Sequence, residues 1–191
     1  MSKHFAIDGN EANIAQRVGS NVYAFQILKA LHQKISQDPE LKATILLRNE
    51  PRADWPKPNS SWQYQVLKPS FLWTQLAAPI HLFLNQKKYD AFYTPGHYAP
   101  RLCPIPYVSS VMDLAFLKFP DQYRKSDLIK LKHWTRYSTK RAKRIVAISQ
   151  FTKQDLVKQY QLKPEKIVVA PPAMTDDGAS SQPKLAQEFF D

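Results

Sequence analysis

A Rossmann-like α/β fold, with a mainly parallel sheet and helices on both faces, is what this 191-residue sequence predicts. Two observations carry the expectation. Short strand-like runs alternate with longer runs of helical spacing along most of the chain, and repeated β and α elements of this length build a parallel sheet covered on both sides. Hydrophobic residues make up 43% of the chain and aromatics 12%, enough for a packed core and unlike a disordered composition. No internal sequence repeat is visible.

The elements follow in order. Lys3–Ile7 reads as a strand ending at Asp8-Gly9, and a polar loop runs to Gly19. Ser20–Ile35 has helical spacing through Val22, Phe25, Ile27, Leu28 and Leu31. Ser20 is its expected N-cap and Asp38-Pro39 its stop. Ala43–Leu47 is a second strand, Pro51–Ser61 a loop with three prolines, and Trp62–Leu67 an alternating strand. Ser70–Asn85 reads as a helix kinked near Pro79. Tyr89–Thr94 and Tyr107–Met112 are strands on either side of a loop rich in proline and aromatics. A long helix is expected from about Asp121 to Lys143, then a strand at Arg144–Ile148. The last pair is a helix at Thr152–Tyr160, with Thr152 and Asp155 at capping-box spacing, and a strand at Ile167–Ala170. From Met174 the sequence turns linker-like, and Leu185–Asp191 is amphipathic. The expected division is therefore a domain over 1–173, then a linker and the start of a second domain over 174–191.

Several classes are disfavoured. A single cysteine, Cys103, cannot form an internal disulfide and fits a reducing, cytoplasmic compartment. Clustered Cys and His ligands are missing from the sequence, so no metal is expected. Neither a signal-peptide core nor a membrane-spanning run is expected, since the apolar stretch Phe71–Leu84 is short and broken by Pro79. The net charge of +11 favours anionic partners. Cations concentrate on residues 122–144, where Arg124, Lys125, Lys130, Lys132, Arg136, Lys140, Arg141, Lys143 and Arg144 stand against Asp127. Such a helix can lie on an anionic membrane at the inner face, or be an ordinary solvated helix. With no recognised nucleic-acid module, nucleic acid is not an expected partner.

Ligands of an open parallel sheet bind at the carboxyl ends of its strands. That rule selects the 8–20 loop, the 95–100 loop, Met112-Asp113-Leu114 and the start of the helix near Ser149. In Arg17-Val18-Gly19-Ser20, backbone N–H groups at a helix start can hold phosphate and Gly19 allows close approach; a plain turn capped by Ser20 is the alternative. The Gly-x-Gly-x-x-Gly and P-loop patterns are both missing, which disfavours NAD binding and ATP hydrolysis. His97 is either a ligand contact or a loop residue packed on aromatics. Asp113 either bonds a sugar hydroxyl or caps its turn. No serine stands in a nucleophile-elbow context.

Read together, these segments resemble the N-terminal half of family-4 (group 1) glycosyltransferases of the GT-B architecture. The matching pieces are Arg17-Val18-Gly19-Ser20-Asn21-Val22-Tyr23, Phe71-Leu72-Trp73-Thr74-Gln75 and Tyr89-Asp90-Ala91-Phe92-Tyr93-Thr94-Pro95, then 112–120 and 147–156. The resemblance implies an acceptor-binding half of a retaining enzyme, of hexosyltransferase type, that works in polysaccharide biosynthesis. Its sugar would come from a nucleotide-sugar co-substrate, with no further cofactor, and go to a glycan or lipid-linked acceptor. It places Arg17, Val18, Gly19 and Ser20 near the donor, His97, Tyr98 and Met112 on the acceptor side, and Asp113 as the catalytic candidate. The family commonly has a histidine just before the Asp-Leu pair; Met112 stands there and cannot make that hydrogen bond. The family's donor site, with its paired glutamates, lies in a C-terminal domain, so the 191 residues alone are expected to be inactive. A non-catalytic module that binds a glycan or a partner is the alternative.

Overall fold

The computed structural model describes residues 2–96 and 98–172. Seven parallel strands form one sheet in the order β3-β2-β1-β4-β5-β6-β7. They are β1 (Lys3–Asp8), β2 (Leu41–Leu47), β3 (Trp62–Val66), β4 (Ala91–Thr94), β5 (Tyr107–Val111), β6 (Arg144–Ala147) and β7 (Ile167–Val169). The helices are α1 (Ser20–Gln37), α2 (Ala77–Leu84), α3 (Ala115–Lys118), α4 (Lys125–Arg141) and α5 (Gln150–Tyr160). β1 is an interior strand, where Phe5 pairs with Ala43 of β2 on one side and with Ala91 of β4 on the other. The chain first builds outward from β1 to β3, then returns and builds the other way from β4 to β7. The junction of β1 and β4 is therefore the switch point, where an open sheet leaves a crevice at its carboxyl edge.

Side chains alternate across a strand, so each strand feeds two cores. Ile7, Ile45 and Leu47 join Ala24, Leu28 and Ile35 of α1 on one face. Ala6, Leu46, Phe92 and Ile145 face the other way and pack with Trp73, Leu82 and Leu156 under α2, α4 and α5. Every residue from Ala43 to Leu47 is buried, as a strand covered on both faces requires.

Four details differ from the sequence expectation. The helix expected over Ser70–Asn85 is short: residues 71–76 form turns, and α2 starts at Ala77. Pro79 is its third residue, in the first turn, where a missing N–H breaks no intrahelical bond, so no kink is needed. The long helix expected from about Asp121 to Lys143 is shorter: Pro120–Gln122 form a 3-10 turn with Pro120 at its first position, and α4 runs from Lys125 to Arg141. α5 is capped by Ser149, whose Oγ accepts from the Thr152 N–H at 3.0 Å. Thr152 instead donates its hydroxyl to the Met112 carbonyl at 2.9 Å, and Asp155 pairs with Lys118 at 2.8 Å, so neither makes a capping box. Ser20 is the first residue of α1 rather than its cap; Gly19 takes the cap position with no side-chain bond to the helix.

Candidate functional site

The crevice at the switch point is walled by the loop after β1 and the turn after β4. The first loop is pinned at each end. Asp8 closes β1 with Oδ1 accepting from the Asn10 N–H at 2.9 Å and the Asn10 side-chain amide at 2.7 Å. Burial outweighs these bonds and raises its carboxyl to about 6. Asn10 then accepts from the Arg48 N–H at 2.7 Å, and Asn13 accepts from the Arg52 N–H at 3.1 Å. Gly9 lies beneath this loop, where a Cβ would stand 2.7 Å from both Ile45 and Leu47.

Arg17 is committed to holding the loop. Its Nε donates to the Ala12 carbonyl at 2.6 Å, its guanidinium pairs with Asp54, and its plane sits 3.7 Å over the Phe25 ring. The Arg17 hydrogen bond in turn pulls the Asp54 carboxyl below its ordinary range. Val18 and Gly19 are exposed. Gly19 has φ 51 and ψ −115 with open space around its Cα. That conformation suits glycine; in the first turn of α1 the Asn21 N–H donates to the Val18 carbonyl at 3.0 Å, and no side chain caps the helix. α1 carries no acidic residue in its first turn, so its positive dipole end is unopposed from within the helix.

Glu11, which the sequence reading passed over, organises this site. Its Oε1 accepts from Ser20 Oγ at 2.7 Å and from Asn21 Nδ2 at 2.9 Å. Its Oε2 would lie 3.7 Å from a Cβ at Gly96, so the same carboxylate borders the turn after β4. Thr94 Oγ1 donates to the Tyr98 carbonyl at 3.1 Å and fixes that turn. Burial, with the negative charges of Glu11 and Asp127, pushes the Tyr98 phenol up to about 12, and its ring meets Trp134 edge-on at 5.2 Å. Ser20, Asn21 and the turn after β4 therefore gather around Glu11. The only signal for this in sequence is an acidic residue in the loop after the first strand, which its spacing does not distinguish from a solvated one.

The next strand end is arranged differently. Met112 is buried, with its carbonyl taken by Thr152. Asp113 is exposed, and its Oδ1 accepts from the Ala115 N–H at 2.9 Å, which makes it the cap of its turn. His97 lies outside the described residues. A buried hydroxyl chain backs the crevice: Tyr93 Oη and Ser110 Oγ are 2.9 Å apart, and Tyr23 donates to the Ala170 carbonyl at 3.2 Å. Among the described residues no group of three or more His, Cys, Asp or Glu converges as metal ligands, and no helix is long and apolar enough to cross a membrane. A cavity of about 580 Å³ opens at the other edge of the sheet, at the start of β5 and β6, away from the switch point.

The fold has relatives among solved structures. HepE from Anabaena, solved in complex with UDP-glucose, matches with a TM-score of 0.52 and 14% identity over 89% of this chain and 44% of its own. A glycosyltransferase from Rickettsia africae matches with a TM-score of 0.46 and 17% identity over 89% of this chain and 43% of its own. This chain thus spans less than half the length of either structure. No curated protein sequence matches it. The model of Glycosyltransferase Family 4 matches residues 19–177, from the Gly19 turn onward, and the chain belongs to Glycosyltransferase Family 4.

Proposed function

We propose that this domain holds the acceptor for a retaining hexosyl transfer from a nucleotide-sugar, and that it presents one wall of the reaction site. The observation that carries the reading is the Gly19 turn at the switch point: a glycine-only backbone at an uncapped helix start, inside the segment that matches Glycosyltransferase Family 4. Amides at such a terminus stabilise an anionic phosphate oxygen, so Val18, Gly19 and Ser20 face the donor diphosphate. Arg17 shapes that turn from behind, since its guanidinium is already paired. Tyr98 lines the acceptor side, and His97, next to it in sequence, is the second candidate for an acceptor contact. Met112 backs the same wall as apolar packing, and Asp113 offers an exposed carboxylate to a sugar hydroxyl. In the transfer the acceptor oxygen forms the new glycosidic bond as the nucleoside diphosphate departs, and stabilising that departing charge is the largest demand on the catalyst. No cofactor beyond the nucleotide-sugar and no metal enters this reading.

The acceptor is a glycan or a lipid-linked sugar of polysaccharide biosynthesis, in the cytoplasm. The cations between Arg124 and Arg144 hold the domain to an anionic inner membrane face. Residues 1–173 act as the acceptor domain and 174–191 as a linker toward a donor-binding domain, so the 191 residues alone do not turn over. The test has two arms. The purified chain is incubated with a panel of nucleotide-sugars beginning with UDP-glucose, the ligand of HepE, and glycan binding is followed by saturation-transfer NMR. Glycan binding without turnover is expected. Robust turnover would sink the half-site reading, and no glycan binding by the chain would sink the acceptor role. The second reading, a non-catalytic glycan-binding module, is favoured by Met112 standing where the family commonly has histidine.

A further inference from the structure

α2 is apolar apart from His81, whose ring bonds to Tyr89, and only one side of the helix is covered. Trp73, Ala77, Ala78 and Leu82 point into the core. On the outer side Phe71, Leu72, Leu76, Ile80, Phe83 and Leu84 are 41% to 76% exposed. Within α2, Ile80, Phe83 and Leu84 are spaced to share the outer face, and Phe71, Leu72 and Leu76 are exposed on the turns that lead into it. Contiguous exposed apolar stripes of this kind mark contact surfaces. Solubility alone does not call for one.

The charge around the stripe says what it meets. From Lys68 to Lys88 there are three lysines and no aspartate or glutamate. Lys87 and Lys88 are exposed just past the end of α2. α2 also shares its face of the sheet with α4, since Trp73 and Leu82 belong to the same core as Leu128, Leu131 and Ala142. The cations of α4 are exposed on that layer, and Ile129 stands 60% exposed among them. A second copy of this chain would bring like charge against like charge, which disfavours self-association through this layer. An anionic bilayer offers negative headgroups over an apolar interior, in the order this surface needs.

We propose that the outer face of α2, with the turns that lead into it, is an insertion element for anionic lipid bilayers, with Phe71, Leu72, Leu76, Ile80, Phe83 and Leu84 entering the headgroup–acyl boundary. The inference rests on the membrane contact read for α4 and adds to it: α4 attracts the domain, and α2 anchors it. Attraction alone is screened by salt, whereas apolar insertion is not.

The experiment uses the full 191-residue chain with vesicles of phosphatidylcholine alone or mixed with phosphatidylglycerol, in flotation assays at low salt and at about 0.5 M salt. Phe83→Ser/Leu84→Ser is compared with wild type after thermal melts establish that both fold alike. Wild type is expected to bind the anionic vesicles and stay partly bound at high salt. The variant is expected to lose at least about tenfold in partition and to be released by salt. Hydrogen exchange on the wild type is expected to slow within 71–84 when anionic vesicles are added. If salt releases wild type completely and the variant binds equally well, insertion is overturned while the electrostatic contact of α4 stands. If wild type binds no vesicle, both fall. Unchanged exchange over 71–84 overturns insertion. A wild-type dimer made monomeric by the two serines would reassign the stripe to self-association.

Discussion

α1 and α5 both start at the carboxyl edge of the same sheet, yet they start in opposite ways. α5 is closed by its own neighbourhood: Ser149 accepts from the Thr152 N–H three residues on. α1 has no such cap. The turn before it is held instead by partners far along the chain, with Arg17 against Asp54, Asn10 against Arg48 and Gly9 under Ile45, Leu47 and Trp55. A locally capped helix end has spent its amides on itself. An end held by distant contacts can leave its amides open and still keep its shape. The donor role proposed for the α1 end rests on this difference, with the α5 end as scaffold.

The contrast can be broken at Gly9 first. Gly9→Ala places a methyl within 2.7 Å of buried Ile45 and Leu47 and 2.9 Å of Trp55. Overpacking of this kind is expected to cost about 3 kcal/mol in urea unfolding. Hydrogen exchange should quicken over 9–21 and stay unchanged over 149–155; equal change at both helix starts would mean they share one support. Gly19→Ala meets no neighbour within 4 Å, so its cost is conformational, about 2 kcal/mol, from forcing a side chain into a glycine-only backbone region. A loss below about 0.5 kcal/mol would show that the turn relaxes freely, and the open-amide reading would lose its basis.

Asp8 tests the loop by pH. Its folded-state carboxyl is raised to about 6 from 3.8, so the native state holds a proton that the unfolded chain has released. Stability is therefore fullest below about pH 4 and falls as pH rises toward 6. Over that span wild type is expected to lose about 1.5 kcal/mol relative to Asp8→Asn, which lacks the titration. Parallel pH profiles for the two proteins would refute the assignment. Ser149→Ala is the smallest change, about 1 kcal/mol for a lost cap. It is expected to fray the first turn of α5 in exchange experiments and leave exchange over 9–21 as it was.

Strand and helix identity were legible because period and turn chemistry are written in neighbouring residues. All seven strands lie where alternation or short apolar runs place them, from Lys3 to Val169. The carboxyl-edge loops were legible for the same reason, since each strand ends at a polar or Gly/Pro turn. The details that went differently each depend on a partner elsewhere. Ser20 looked like a cap until Glu11 took its hydroxyl, and Thr152 looked like one until Met112 did. Apolar spacing over 70–85 reads as one helix because it does not reveal that residues 71–76 form turns, with Leu72 at φ 51.

By itself the sequence determined the α/β alternation, the strand-ends that can carry a site and the family likeness at Gly19. These follow from period, backbone propensity and charge over a few residues. Only the tertiary structure decided that Arg17 is a brace and that Glu11 gathers Ser20, Asn21 and the turn after β4. It alone placed the apolar stripe of α2 on the same layer as the cations of α4. Those outcomes depend on which of several chemically adequate partners the folded chain brings within reach, and a hydrogen bond or exposed face 40 residues away leaves no mark in local sequence.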